Sequence, residues 1–278
     1  VSLPVLQFSE VLTDDDLVDL IQSSKSVSRY LAVSKRRVVS QMVSNVLLSS
    51  QNDQVMSSLV HNSGADISEE HLSAIIEQHR NNEGLMQAVS SRPHLPVATV
   101  EKLVTIVSKN IADSLKQKYQ LPTEEIEQQV SATRETETLQ LVKNVQDDAE
   151  IDKLVLQMHS SDRLSPSMIL SALCQGNFAF FEASLARLSN IPIANARALI
   201  FDKGELGFRA LYNKSGLPDA MFPAVRLLLK VVRELADVGE RPGKARYANN
   251  VVERLLQYSE EYPVDNLSYL IALVRRSA

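Results

Sequence analysis

With a single cysteine, Cys174, the chain can form neither an internal disulfide nor a cysteine-based zinc site. The neighbours Leu170 and Leu173 point to a buried thiol rather than a reactive one. Tryptophan is absent, and only 8 Gly, 7 Phe and 7 Tyr are present. Leu, Val, Ala, Ser, Glu and Gln dominate instead, a balance that favours helices over sheets. No run reaches the roughly 20 apolar residues that span a bilayer, because even 227–232 is interrupted by Lys230. The opening Val1-Ser2-Leu3-Pro4 lacks the basic and long apolar regions of a secretory leader, so a cytoplasmic protein is expected.

The sequence is equally poor in catalytic signatures. It has no phosphate-cradling Gly-Lys-Ser/Thr loop, no His-Glu-x-x-His pair and no nucleophile-elbow serine. His61, His71, His79, His94 and His159 form no compact ligand set, and His71 and His79 lie two helical turns apart. They read as solvated surface residues. Lys203-Gly204-Glu205-Leu206-Gly207 bears glycines, but Gly204 reads as a helix end and Gly207 as a turn or close-packing position. No cofactor or metal is expected, and nothing argues for an enzyme.

What the chain does contain is a recurring pattern: an apolar residue, then Ser, Thr or Pro, three variable residues, and an apolar residue again. It occurs at Leu12-Thr13, Ile67-Ser68, Leu95-Pro96, Leu121-Pro122, Leu164-Ser165, Ile191-Pro192, Leu217-Pro218 and Tyr262-Pro263, with a blurred copy at Val38, Val43, Val46 and Leu47. The underlying step is about 27 residues, enough for two short helices and two turns. Ser and Thr in this slot are N-caps, and Pro presets the first helical φ. The acidic runs Asp14-Asp15-Asp16 and Glu69-Glu70 complement the positive end of a helix dipole.

Pairs such as Leu20-Ile21, Ile75-Ile76 and Leu199-Ile200 complete one buried stripe per helix. A second helix follows a polar turn, after Asn52-Asp53, Asn81-Asn82 and Gly176-Asn177. Two helices of about ten residues cannot bury their apolar faces alone, so neighbouring pairs must stack. The expected class is therefore all-α, an α-solenoid-like array of short helical hairpins.

Two long steps interrupt the register. Residues 131–138 are polar and read as part of a long exposed helix or as a hinge, with a block boundary preferred at Gln146-Asp147-Asp148. This divides the chain into N-terminal (1–148) and C-terminal (149–278) helical-repeat blocks. Gly239-Glu240-Arg241-Pro242-Gly243 is the strongest breaker, and after it 247–258 reads as a helix with Val251, Val252, Leu255 and Leu256 inward.

Charge is uneven. Residues 1–150 hold 13 Lys and Arg against 21 Asp and Glu, whereas 151–278 hold 16 against 13. Arg226, Lys230 and Arg233 lie at i, i+4 and i+7, one stripe of a helix whose other face is apolar. With Lys203 and Arg209, and with Arg241, Lys244 and Arg246, they form a candidate binding patch; the plainer reading is a solvated helix face.

The run Gly176-Asn177-Phe178-Ala179-Phe180-Phe181-Glu182-Ala183, then Gly204-Glu205-Leu206-Gly207-Phe208 and Gly216-Leu217-Pro218, resembles a bacterial family catalogued as domain of unknown function 2336. Residues 6–20 and 67–104, including Arg92-Pro93-His94-Leu95-Pro96, are similar to the same family. The resemblance implies helical repeats of the HEAT type and brings no catalytic residue or ligand with it.

The function expected is thus a noncatalytic interaction module binding a protein or peptide partner. The alternatives are nucleic-acid binding through the C-terminal basic patch, opposed by a net charge of −5, and an enzyme with an unfamiliar site.

Overall fold

The computed structural model describes residues 2–24, 26–119, 123–145, 147–202, 205–237, 247–261 and 266–276. Among them are seventeen α-helices, one 3-10 turn and no strand. Among the described residues the one extended contact is a parallel bridge between Val39 and Ala65. The chain divides into two compact units, 1–130 and 131–278.

The first unit contains α1 (Leu3–Phe8), α2 (Asp14–Gln22), α3 (Val27–Ser34), α4 (Gln41–Ser49), α5 (Asp53–His61), α6 (Glu69–Gln78), α7 (Glu83–Ser90) and α8 (Val97–Tyr119). The caps fall where the pattern predicts. Thr13 accepts from the Asp16 N–H while the Asp16 side chain accepts from the Thr13 N–H, a closed capping box. Ser68 caps α6, Asn52 caps α5 and Asn82 caps α7.

The blurred copy resolves one residue later than the sequence suggested. Ser40 caps α4 after buried Val39, and buried Ser44 occupies the slot that is apolar elsewhere. A polar residue in that slot is what hid the copy.

Helix α1 packs on α3, α3 on α5, and α5 on α7, while α2 packs on α4 and α6 on α8. Their shared core includes Leu6, Leu17, Val43, Leu47, Leu59 and Ile76.

Side chains also cross this row of odd-numbered helices. Arg36, after α3, donates to the Leu6 and Ser9 carbonyls at the end of α1, at 2.6 and 2.8 Å. Asn62, after α5, donates to the Ser34 and Arg36 carbonyls at 2.8 and 2.7 Å. Arg92, after α7, donates to Val60, Asn62 and Ala65. The ends of α1, α3 and α5, where the last carbonyls lack intrahelical partners, thereby receive donors that follow the next helix in the row.

Helix α9 (Thr123–Lys143) contains the division between units. Its polar stretch is helical and mostly exposed, except that Thr138 at its end is buried together with Leu139 and Val142 beyond it. The second unit continues with α10 (Asp148–Ser160), α11 (Pro166–Cys174), α12 (Phe178–Leu188), α13 (Ile193–Phe201), α14 (Glu205–Lys214), α15 (Phe222–Asp237), α16 (Tyr247–Glu261) and α17 (Leu267–Arg276). Asp147 caps α10, so the sequence boundary at 148 coincides with a helix start. Ser165 caps α11 and Pro192 precedes α13.

Pro218 opens a 3-10 turn, Asp219–Met221, before α15 begins at Phe222. That turn delays the expected helix by one turn. The patterns at Leu121-Pro122 and Tyr262-Pro263 and the breaker at 239–243 lie outside the described residues.

Helix α12 packs on α10, α11, α13 and α14, whereas α17 packs on α11, α15 and α16. Contact of α17 with α11 joins distant parts of the unit into one core, in which Phe181, Leu185, Tyr212, Val225, Leu228 and Leu270 are fully or almost fully buried. Val251, Val252 and Leu255 point into it. Leu256 is 45% exposed, contrary to expectation, because the buried arc of α16 ends at Leu255.

Candidate functional site

Helix α15 is built by its sequence as a two-faced rod. Val225, Leu228, Leu229, Val232 and Leu235 are buried, while Arg226 and Lys230 stand exposed on the opposite side. The predicted stripe exists, but its members are engaged differently. Lys230 Nζ sits 4.2 Å from the ring centroid of Tyr258 on α16. The Tyr258 hydroxyl in turn donates to the Glu234 carboxylate at 2.8 Å, and Arg254 lies 4.0 Å from the same group.

Arg233 is half-buried. Its guanidinium lies 4.8 Å from the Phe201 ring centroid and donates to the Ile200 carbonyl, closing the C-terminal end of α13. Burial pulls its pKa below the usual arginine value. Arg209 on α14 is exposed and lies 5.4 Å from the Phe222 ring centroid. Phe222 itself packs edge-on to Tyr212 at 5.1 Å and tilted to Phe208 at 5.5 Å. Lys203, Arg241, Lys244 and Arg246 lie outside the described residues.

The structure thus brings Arg226, Lys230 and Arg233 along one side of α15, with Arg233 against Phe201 at the end of α13 and Arg209 of α14 against Phe222 at the start of α15. Two apolar residues that sequence reasoning passed over belong to the same region: Phe201, 46% exposed, and Leu206, 83% exposed. Leu206 is visible in the sequence only as an apolar residue between two glycines. Nothing in its spacing says that it faces outward. Gly207 is a close-packing position, since a Cβ there would lie 3.0 Å from Leu199 Cδ2.

A second polar arrangement ties α12 to its neighbours. Arg197 donates to Glu182 and to Asp148, both at 2.5 Å, and Arg187 donates to Asp152 at 3.3 Å. Glu182 is 4% exposed. Burial raises its pKa, and the hydrogen bond and charge of Arg197 act in the opposite direction. This carboxylate lies within the Phe178–Leu188 helix, and the sequence marks it only through the family resemblance.

In the first unit, a cavity of about 470 Å³ is lined by Gly64, Asp66, Ser68, Arg92, His94 and Pro96 among others. At its edge Ser68 Oγ and His71 Nδ1 are hydrogen-bonded at 2.8 Å, while Ser68 Oγ accepts from the His71 N–H at 3.3 Å. The geometry is that of a helix cap closed by its third residue. Arg92 is committed to three backbone carbonyls. Among the described residues no three His, Cys, Asp or Glu side chains are grouped to hold a metal ion, and no helix is long and apolar enough to cross a membrane. Cys174 is buried, with Sγ 3.9 Å from the Leu270 carbonyl, and burial pushes its thiol pKa up.

No curated protein and no solved structure matches the chain significantly. A family model described as "Uncharacterised protein conserved in bacteria (DUF2336)" matches residues 1–264, and the chain belongs to that family.

Proposed function

We propose that the protein is a noncatalytic interaction module in which stacked, HEAT-like helical pairs present an extended surface to a protein partner. The observation that carries this reading is the row α1, α3, α5 and α7, in which each helix packs on the next and receives side-chain hydrogen bonds across the gap. Such nearest-neighbour dependence is the structural economy of repeat proteins, whose broad faces serve recognition. The exposed cations of α14 and α15 and the apolar side chains beside them support a polar-rimmed contact region of the kind protein partners use.

The test is co-purification of the chain from its native host, followed by mass spectrometry and reconstitution from two purified components. A partner recovered in fixed stoichiometry and rebinding in isolation is expected. Repeated recovery of the chain alone, under conditions that preserve weak complexes, would overturn the reading.

A further inference from the structure

Resting on that reading, we infer that the face formed by α14, α15 and the end of α13 docks an acidic polypeptide segment carrying an apolar anchor. Three relationships point to this occupant.

Leu206 is 83% exposed and lies three residues before Arg209, so both share one face of α14. An isolated exposed leucine is ordinary, but this one belongs to a region that also exposes Phe201. The pair supplies the apolar contact.

Three cations of α14 and α15 are held in place before any partner arrives. Arg209 lies against Phe222, Lys230 against Tyr258, and Arg233 against Phe201. A long side chain fixed on a ring loses less rotamer freedom on binding than a free one. Lys230 and Arg209 nevertheless remain exposed, so their charges are available to carboxylates. Arg233 has a buried Nε with no acceptor among the described residues, and its Nη2 donates to the Ile200 carbonyl, so its part is to anchor Phe201.

Charge complementarity selects the partner. Of the acids in the region, Glu234 already accepts from Tyr258 and neighbours Arg254. Asp202 and Asp219 are exposed, and they set a limit on where partner carboxylates can approach. An acidic segment with a leucine or phenylalanine satisfies both the cations and the apolar pair. A phosphate backbone would engage the cations and leave Leu206 and Phe201 in water.

Because the chain has no tryptophan, Leu206→Trp creates a single reporter at the proposed contact. The probe is a twelve-residue peptide with Glu and Leu at helical spacing, compared with its Glu→Gln counterpart, a duplex DNA and phosphatidylglycerol vesicles. The expected result is a blue shift of the emission with the Glu/Leu peptide. Affinity should fall at least tenfold between 50 and 500 mM salt, and at least fivefold on Lys230→Glu or Arg209→Glu, two surface changes whose folding is checked by circular dichroism. No shift up to millimolar peptide, equal response to the Gln peptide, or a response to DNA or vesicles alone would each overturn the inference. A stoichiometric host partner whose affinity is unchanged by Lys230→Glu and Leu206→Asp would overturn this site and leave the interaction-module reading standing. If no host partner is recovered while the peptide binds as described, the site stands and the wider reading fails.

Discussion

The side-chain amide of Asn62 donates to the Ser34 carbonyl at 2.8 Å, joining the turn after α5 to the last residue of α3. Arg36 and Arg92 make the same kind of connection one helix earlier and one helix later. A charged hydrogen bond is worth about 1.5–3 kcal/mol, and removing its donor leaves a carbonyl unsatisfied. Arg36→Met and Arg92→Met are each expected to lower the unfolding free energy by about 2 kcal/mol in urea titration. Lysine should not restore it at position 92, because one ammonium cannot reproduce the planar fork that reaches three carbonyls.

Gly64 is fixed by a neighbour rather than by its own dihedral angles. A Cβ there would lie 2.0 Å from the Arg37 carbonyl oxygen, inside the Val39–Ala65 bridge. Gly64→Ala must therefore shift backbone, with a loss of about 1–3 kcal/mol or more. A midpoint unchanged in urea would contradict this.

Left-handed residues stand directly before three of the recurring apolar-Pro steps: His94 at φ 57°, Asn190 at 50° and Gly216 at 73°. The same backbone requirement is met by three residue types, so substitutions should move stability in opposite directions. Gly216→Ala has open space around it and loses about 1 kcal/mol through backbone strain alone. His94→Gly relieves that strain, and the greater freedom of glycine in the unfolded chain offsets part of it, leaving a gain of a few tenths of a kcal/mol. Thermal melts of the two variants against the parent check both signs.

Much of the architecture was legible because helix starts are local chemistry. Thr13, Ser68 and Ser165 cap the helices their positions predict, and Asn52 and Asn82 cap the helices that follow the polar turns. The copy at Val39-Ser40 was blurred because buried Ser44 replaces an apolar residue, so the pattern lost its second half. The cross-helix roles of Arg36, Asn62 and Arg92 were not legible. Their partners are main-chain carbonyls about one repeat away, and carbonyls have no side-chain signature. The α15 stripe was visible in spacing, whereas the exposure of Leu206 and Phe201 depends on how α13 and α14 meet.

Glu182 supplies a pH dependence with a definite sign. Its folded-state pKa is raised, so protonation favours the folded chain. The stability it contributes is fully present below the unfolded carboxylate pKa, about 4.5, and is lost as pH rises through the higher folded value. Relative to Glu182→Gln, the parent should become less stable as pH rises across that window. Urea midpoints of both chains measured from pH 4 to 7.5 give the comparison, and parallel curves would exclude a raised folded value.

The most direct measurement of the stacked-repeat account is residue-resolved hydrogen exchange on the parent and on Asn62→Ala. If each helix of the row is stabilised by the next, amide protection in α3 and α5 falls together, because the Ser34 and Arg36 carbonyls lose their donor when the α5 end is altered. Protection lost only around residue 62, with α3 unchanged, would show that the helices are held independently and contradict the account.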